Sequence, residues 1–180
     1  MTVPGFTQIF YLNPQNLQIW QFVTSIFLHG SLMHIFFNAY SLFLFGPLLE
    51  RKMGQKNFLI IFFLSGIAGN VLYELTTVAG IIAPIPSLGA SGAIFGILGA
   101  LVVAEPALVL LLFGIIPMKI RDAAILWFVL EFFGSFNTSS GIASAAHLGG
   151  LVVGYALAKY WLKPKQETDK YQWMQYRGQY

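Results

Sequence analysis

Ser87-Leu88-Gly89-Ala90-Ser91-Gly92-Ala93-Ile94-Phe95-Gly96-Ile97-Leu98-Gly99-Ala100 is the stretch on which the reading of this chain turns. It predicts a membrane helix from about Leu88 to Ala104 that opens just after a loop broken by Pro84 and Pro86 and ends at Glu105-Pro106. Ser91 falls in the first turn, where backbone N–H groups lack helical partners and the helix dipole favours developing negative charge. Gly92, Gly96 and Ala100 make a stripe of small residues along which a second helix can approach closely. A close-packing helix with an inert serine fits the same residues, so the decision rests on the histidines.

The chain has 180 residues, 57% of them hydrophobic and 9% charged, and its mean hydropathy of +0.69 excludes an ordinary soluble domain. Several apolar runs reach the ~20 residues that span a bilayer. Cysteine is absent, which excludes disulfides, thiolate metal sites and cysteine nucleophiles. No basic segment followed by an apolar core opens the chain, so no cleavable signal peptide is read.

Five spans emerge, giving an all-α polytopic bundle. Residues 1–25 read as an outer interfacial loop region with short helical pieces, 26–162 as the transmembrane domain, and 163–180 as a polar cytoplasmic tail. The first span runs from about Thr24 to Leu49 and stops at Glu50-Arg51-Lys52, and the second from about Asn57 to Val78. After the serine helix, residues 107–120 are apolar but interrupted by Gly114 and Pro117, as in a re-entrant or interfacial connection. The fourth span runs from about Arg121 to Gly134, and the fifth from about Ile142 to Leu162 beyond a polar loop at 135–141. All ten Lys and Arg lie at 51–56, at 119–121 or from Lys159 onward, whereas residues 1–25, 79–87 and 135–141 carry none. The positive-inside rule therefore puts the Ser91 end outside and the C-terminus in the cytoplasm of a multi-pass protein of the cell membrane.

His29, His34 and Asn38 fall on the first span and His147 on the last, and polar groups inside a membrane usually face the bundle interior. His34 and Asn38, four apart, share a helix face, and His29 is rotated away from it. Gly150 and Gly154 continue the face of His147 and can pack on Gly92, Gly96 and Ala100, which brings His147 towards Ser91. Counted inward from the span ends, Ser91, His147 and His34 lie on the order of 5–12 Å below the outer surface. The chemistry this suggests is nucleophilic: Ser91 attacks, and His147 takes the proton and returns it to the leaving amine. No acidic residue lies on the last span to orient His147, so the pair is expected to act as a dyad. The backbone N–H of Ser91 with the His34 and Asn38 side chains would form an oxyanion hole. Phe95, one turn below Ser91, is placed to stack on the imidazole.

Plainer readings stand beside each of these. His34 and Asn38 also fit an interhelical hydrogen-bond pair, His147 a packing histidine, and His29 a tie between the outer loop and the helix end. Glu131 and Glu74 read as interfacial caps, Glu50 as an electrostatic cap and Trp20 as an interface anchor.

Taken together, the residues resemble the rhomboid family of intramembrane serine proteases. His29-xxxx-His34-xxx-Asn38 is similar to the family's second-helix motif, and Gly89-Ala90-Ser91-Gly92 to its nucleophile motif. Ala146-His147-Leu148-Gly149-Gly150, with Gly154, is similar to its Ala-His-xx-Gly-xxx-Gly motif. The likeness runs from about Trp20 to Trp161. It implies Ser91 and His147 as the catalytic dyad, His34, Asn38 and the Ser91 N–H as oxyanion partners, and His29, Gly89, Phe95, Gly150 and Gly154 in support. It also implies transmembrane protein substrates cleaved near their outer ends, admitted past the fourth span, with no cofactor, metal or nucleic acid involved. The family core has six spans, and the one expected before residues 1–25 has no counterpart here. Trp20-Gln21 replaces the usual Trp-Arg, losing an arginine that helps hold the outer loop, and Phe95 keeps a ring without the frequent hydroxyl. An inactive rhomboid-like protein that binds membrane clients is the first rival reading, and a small transporter with histidines on a proton path the second.

Overall fold

The computed structural model describes residues 5–112, 115–134 and 143–162. The expected polar loop at 135–141 and the tail from Lys163 onward lie outside them. The protein is mostly helical, in the order α1 (Phe6–Phe10), α2 (Gln21–Thr24), a 3-10 turn (Ser25–Phe27), α3 (Leu32–Met53), α4 (Gln55–Val78) and α5 (Ser91–Ala104). A two-stranded hairpin, β1 (Val109–Leu112) and β2 (Ile116–Lys119), then leads to α6 (Ile120–Gly134) and α7 (Ser144–Trp161).

Helix α5 is the hub: α3, α4, α6 and α7 all contact it, and α7 and α4 also pack on each other. Its core residues Ile97, Ala100 and Leu101 are fully buried. Three glycines in fourteen residues would weaken this helix in water. In an apolar surrounding the backbone must satisfy its own hydrogen bonds, so the helix holds and the missing side chains become contact surface. The outward faces are apolar instead. Leu32 (84% exposed), Phe43 (75%) and Val78 (76%) stand on an outward apolar surface of the kind that marks a membrane or protein contact rather than a water-facing exterior.

Helices α3 and α4 are each long and apolar enough to cross a bilayer. At 1.5 Å per residue, the 14-residue α5 is about 21 Å long, short of the ~30 Å hydrocarbon core. Among the described residues, two spans thus meet the length and apolarity criterion where the sequence predicts five.

Several boundaries differ from expectation. The first span does not begin near Thr24, because the chain breaks after the 3-10 turn and α3 starts when the Ser31 hydroxyl accepts the His34 N–H at 3.1 Å. At its other end α3 runs through Pro47 and the charged Glu50-Arg51-Lys52 to Met53. Gly54, at φ +81°, then ends α3 and precedes α4 in one residue, a reversal that the left-handed conformation makes easy for glycine. The serine helix begins at Ser91 rather than Leu88. Residues 107–120 correct the all-α expectation: Leu111 pairs with Pro117 and Val109 with Lys119 in an antiparallel hairpin. Proline breaks a helix there but is tolerated in a strand at an edge, and every strand of a two-stranded ribbon is an edge.

Candidate active site

Ser91 is the first residue of α5, and His147 stands one turn into α7. His147 Nε2 and Ser91 Oγ are 2.7 Å apart, a hydrogen bond between residues 56 positions apart in the chain. Glycine makes the contact possible. A Cβ on Gly150 would overlap the Gly92 carbonyl oxygen, and one on Gly154 would overlap that of Gly96. Gly99 is closed in the same way by the Leu151 carbonyl, so the two helices touch backbone to backbone over several turns. Helix α4 joins this seam, because a Cβ on Gly69 would overlap the carbonyl oxygen of Ala146, the residue before His147.

The Phe95 ring stacks on the His147 imidazole, with centroids 4.5 Å apart and planes within 4°. Gly89, at φ +124°, lets the loop turn into α5, and a Cβ there would lie 2.6 Å from His34 Nε2. His34 and Asn38 therefore face the loop that delivers Ser91. Together with Ser91, Gly89 and His147 they line a cavity of about 360 Å³. Asn38 Nδ2 is buried and donates to no acceptor. A buried amide N–H without a partner is costly unless something arrives to accept it.

His29 was expected on the first span, and it lies instead in the turn before α3. Its ring meets that of His34 edge-on at 5.1 Å. Burial, and then the neighbouring His34, lowers its pKa from the ordinary imidazole value.

The outer segment is held differently from what the missing arginine suggested. Gln21, buried at 2% exposure, accepts the Asn13 and Gln18 N–H groups at 3.1 and 3.2 Å and donates to the Ile9 carbonyl at 3.3 Å. Trp20 Nε1 donates to the same carbonyl at 3.0 Å, so it ties the segment together. Asn70 of α4 donates to the Phe22 carbonyl at 2.8 Å and to Ser25 Oγ at 2.9 Å, and Gly89 N–H donates to the Ser25 carbonyl. The segment is thus fastened to both α4 and the Ser91 loop.

Two acids depart from their expected capping roles. Glu74 is buried in α4, and its Oε2 has no hydrogen-bond partner. Glu131 of α6 reaches into the cavity and puts Oε1 2.9 Å from His147 Nδ1. The absence of an acid on α7 therefore does not leave His147 without a carboxylate neighbour. The available signal was an acid set in the apolar second half of a helix, near the same outer end as His147.

Residues 16–164 match the Rhomboid domain family. Rhomboid-like protease 3 of Toxoplasma gondii is 34% identical over 161 residues, covering 87% of this chain and 57% of its own length. YdcA, a rhomboid relative from Bacillus subtilis, is also 34% identical, over 87% of this chain and 72% of its own. Inactive RHOMBOID-like protein 8 of Arabidopsis thaliana is 37% identical over 50% of this chain and 24% of its own. The chain thus spans between a quarter and three quarters of these relatives, whose names include both proteases and an inactive member. With a family match over most of its length, the chain belongs to the rhomboid family, whose members are multi-pass membrane proteins.

Proposed function

We propose that the protein is an intramembrane serine endopeptidase that cleaves membrane-anchored proteins in or near a transmembrane segment. The observation that carries this reading is the 2.7 Å contact between Ser91 Oγ and His147 Nε2 inside a cavity. Ser91 Oγ attacks the scissile carbonyl carbon while its proton passes to His147 Nε2. Collapse of the tetrahedral intermediate breaks the C–N bond, and His147 returns the proton to the leaving amine. Water then attacks the Ser91 ester and gives a proton to His147. Cleavage of the ester releases the carboxylic acid and restores the Ser91 hydroxyl. The oxyanion is met by the Ser91 N–H, Asn38 Nδ2 and His34. The unpartnered amide of Asn38 supports this role, since the negative oxygen gives it an acceptor only during reaction. Phe95 keeps the imidazole in plane for both proton transfers.

The same reading takes α3 to α7 as five spans, with residues 1–25 as an outer interfacial region, 26–162 as the transmembrane domain and 163–180 as a cytoplasmic tail. The Ser91 end faces outward, and substrates pass α6 to reach the cavity. Neither cofactor nor metal takes part. The test is labelling of the detergent-solubilised full chain with a fluorophosphonate probe. Wild type is expected to label, and Ser91→Ala and His147→Ala are expected not to. Equal labelling of all three removes the protease reading, and an unreactive wild type favours an inactive, client-binding member of the family.

A further inference from the structure

Glu131 takes no part in the steps above, yet its carboxylate stands against the ring that moves the protons. It lies in the last turn of α6, and its Oε1 is 2.9 Å from Nδ1, whereas Ser91 occupies the other ring nitrogen, Nε2. Both side chains are largely out of solvent, at 16% exposure for Glu131 and 10% for His147. The oxygen sits off the Nδ1–H direction, so the contact is close and electrostatic rather than a well-aligned hydrogen bond. Catalytic hydrogen bonds in unliganded sites are often misaligned in this way and tighten with substrate. The carboxylate is itself anchored: the hydroxyl of Ser144, buried one turn before His147 on α7, donates to it.

We propose that Glu131 is a positioning residue whose carboxylate holds the His147 proton on Nδ1 and so leaves Nε2 bare to accept the Ser91 hydroxyl. A neutral imidazole has two tautomers, and the neighbour of one nitrogen selects between them. With the proton on Nε2, the Nδ1 lone pair would face carboxylate lone pairs across 2.9 Å. With the proton on Nδ1, the same contact is attractive, and it becomes more so when Nε2 is protonated during reaction. Phe95 sets the plane of the ring, and Glu131 sets which nitrogen is free. The catalytic consequence rests on the proposed roles of Ser91 and His147, but the choice of tautomer does not.

The experiment is ¹⁵N NMR of histidine-labelled full chain in detergent, at a pH where imidazole is neutral, combined with fluorophosphonate labelling rates. The His147 signals are assigned by their loss in His147→Ala. In wild type, Nδ1 is expected to be protonated and Nε2 bare, and Glu131→Asp is expected to keep that pattern. Glu131→Gln, whose amide can present either a donor or an acceptor, is expected to mix the tautomers and slow labelling by up to roughly 10,000-fold. Unchanged His29 and His34 signals in Glu131→Gln verify that the fold survives. A wild type with the His147 proton on Nε2 overturns the inference without any variant. So does a Glu131→Gln protein with the wild-type tautomer and labelling rate. If wild type does not label at all, the protease reading fails, while the tautomer pattern still decides the role of Glu131.

Discussion

Asn38 Nδ2 is a buried donor left open beside Ser91, and the chemistry proposed here accounts for it. Removing one oxyanion donor typically costs about 2.7–4 kcal/mol of transition-state stabilisation, a hundred- to thousandfold in rate. Asn38→Ala is therefore expected to lower the turnover of a transmembrane substrate by that factor without loss of folded protein. Turnover within threefold of wild type would remove Asn38 from the oxyanion site. His34 and Asn38 could be paired from their spacing, because four residues on a helix is a fixed geometry. The break at Ser31 could not be foreseen so easily. His29 was assigned to a helix because the apolar pattern continues through it, while the serine cap that starts α3 three residues before His34 is a local competitor to that pattern.

The seam between α5 and α7 depends on glycine at several successive contacts, and one substitution there has a defined consequence. Gly154→Leu places a side chain where the Gly96 carbonyl lies, so the helices must separate. A misplacement of about 1 Å between reacting groups can cost roughly a hundredfold in rate. The variant is expected to insert and migrate as wild type in detergent while fluorophosphonate labelling falls by at least that factor. Full labelling would show that Ser91 and His147 meet without this contact. The stripe Gly92-Gly96-Ala100 and its partner Gly150-Gly154 were readable in advance, because small residues four apart have few other uses in an apolar helix. The hairpin at 109–119 was not readable as such, since a short apolar run interrupted by proline fits several membrane-edge structures equally well.

For the molecule as a whole, the absence of native cysteine allows its orientation to be mapped with single introduced thiols. Lys56, at the start of α4, and Ile81, beyond its other end, are both exposed. A membrane-impermeant maleimide applied to intact cells is expected to label Ile81→Cys at once and Lys56→Cys only after lysis. The reverse pattern would invert the proposed topology and put Ser91 on the cytoplasmic side. The apolar composition, the order of the helices, the glycine seam and the Ser91–His147 pairing could all be inferred from the chain alone. Each follows from a periodicity or a spacing that a helix turns directly into a face and a depth. The fold had to be in hand to see Glu131 beside His147, Gln21 holding the outer segment and the hairpin before α6. These depend on how separate elements are placed against one another, and a carboxylate on one helix carries no local mark of the imidazole it meets on another.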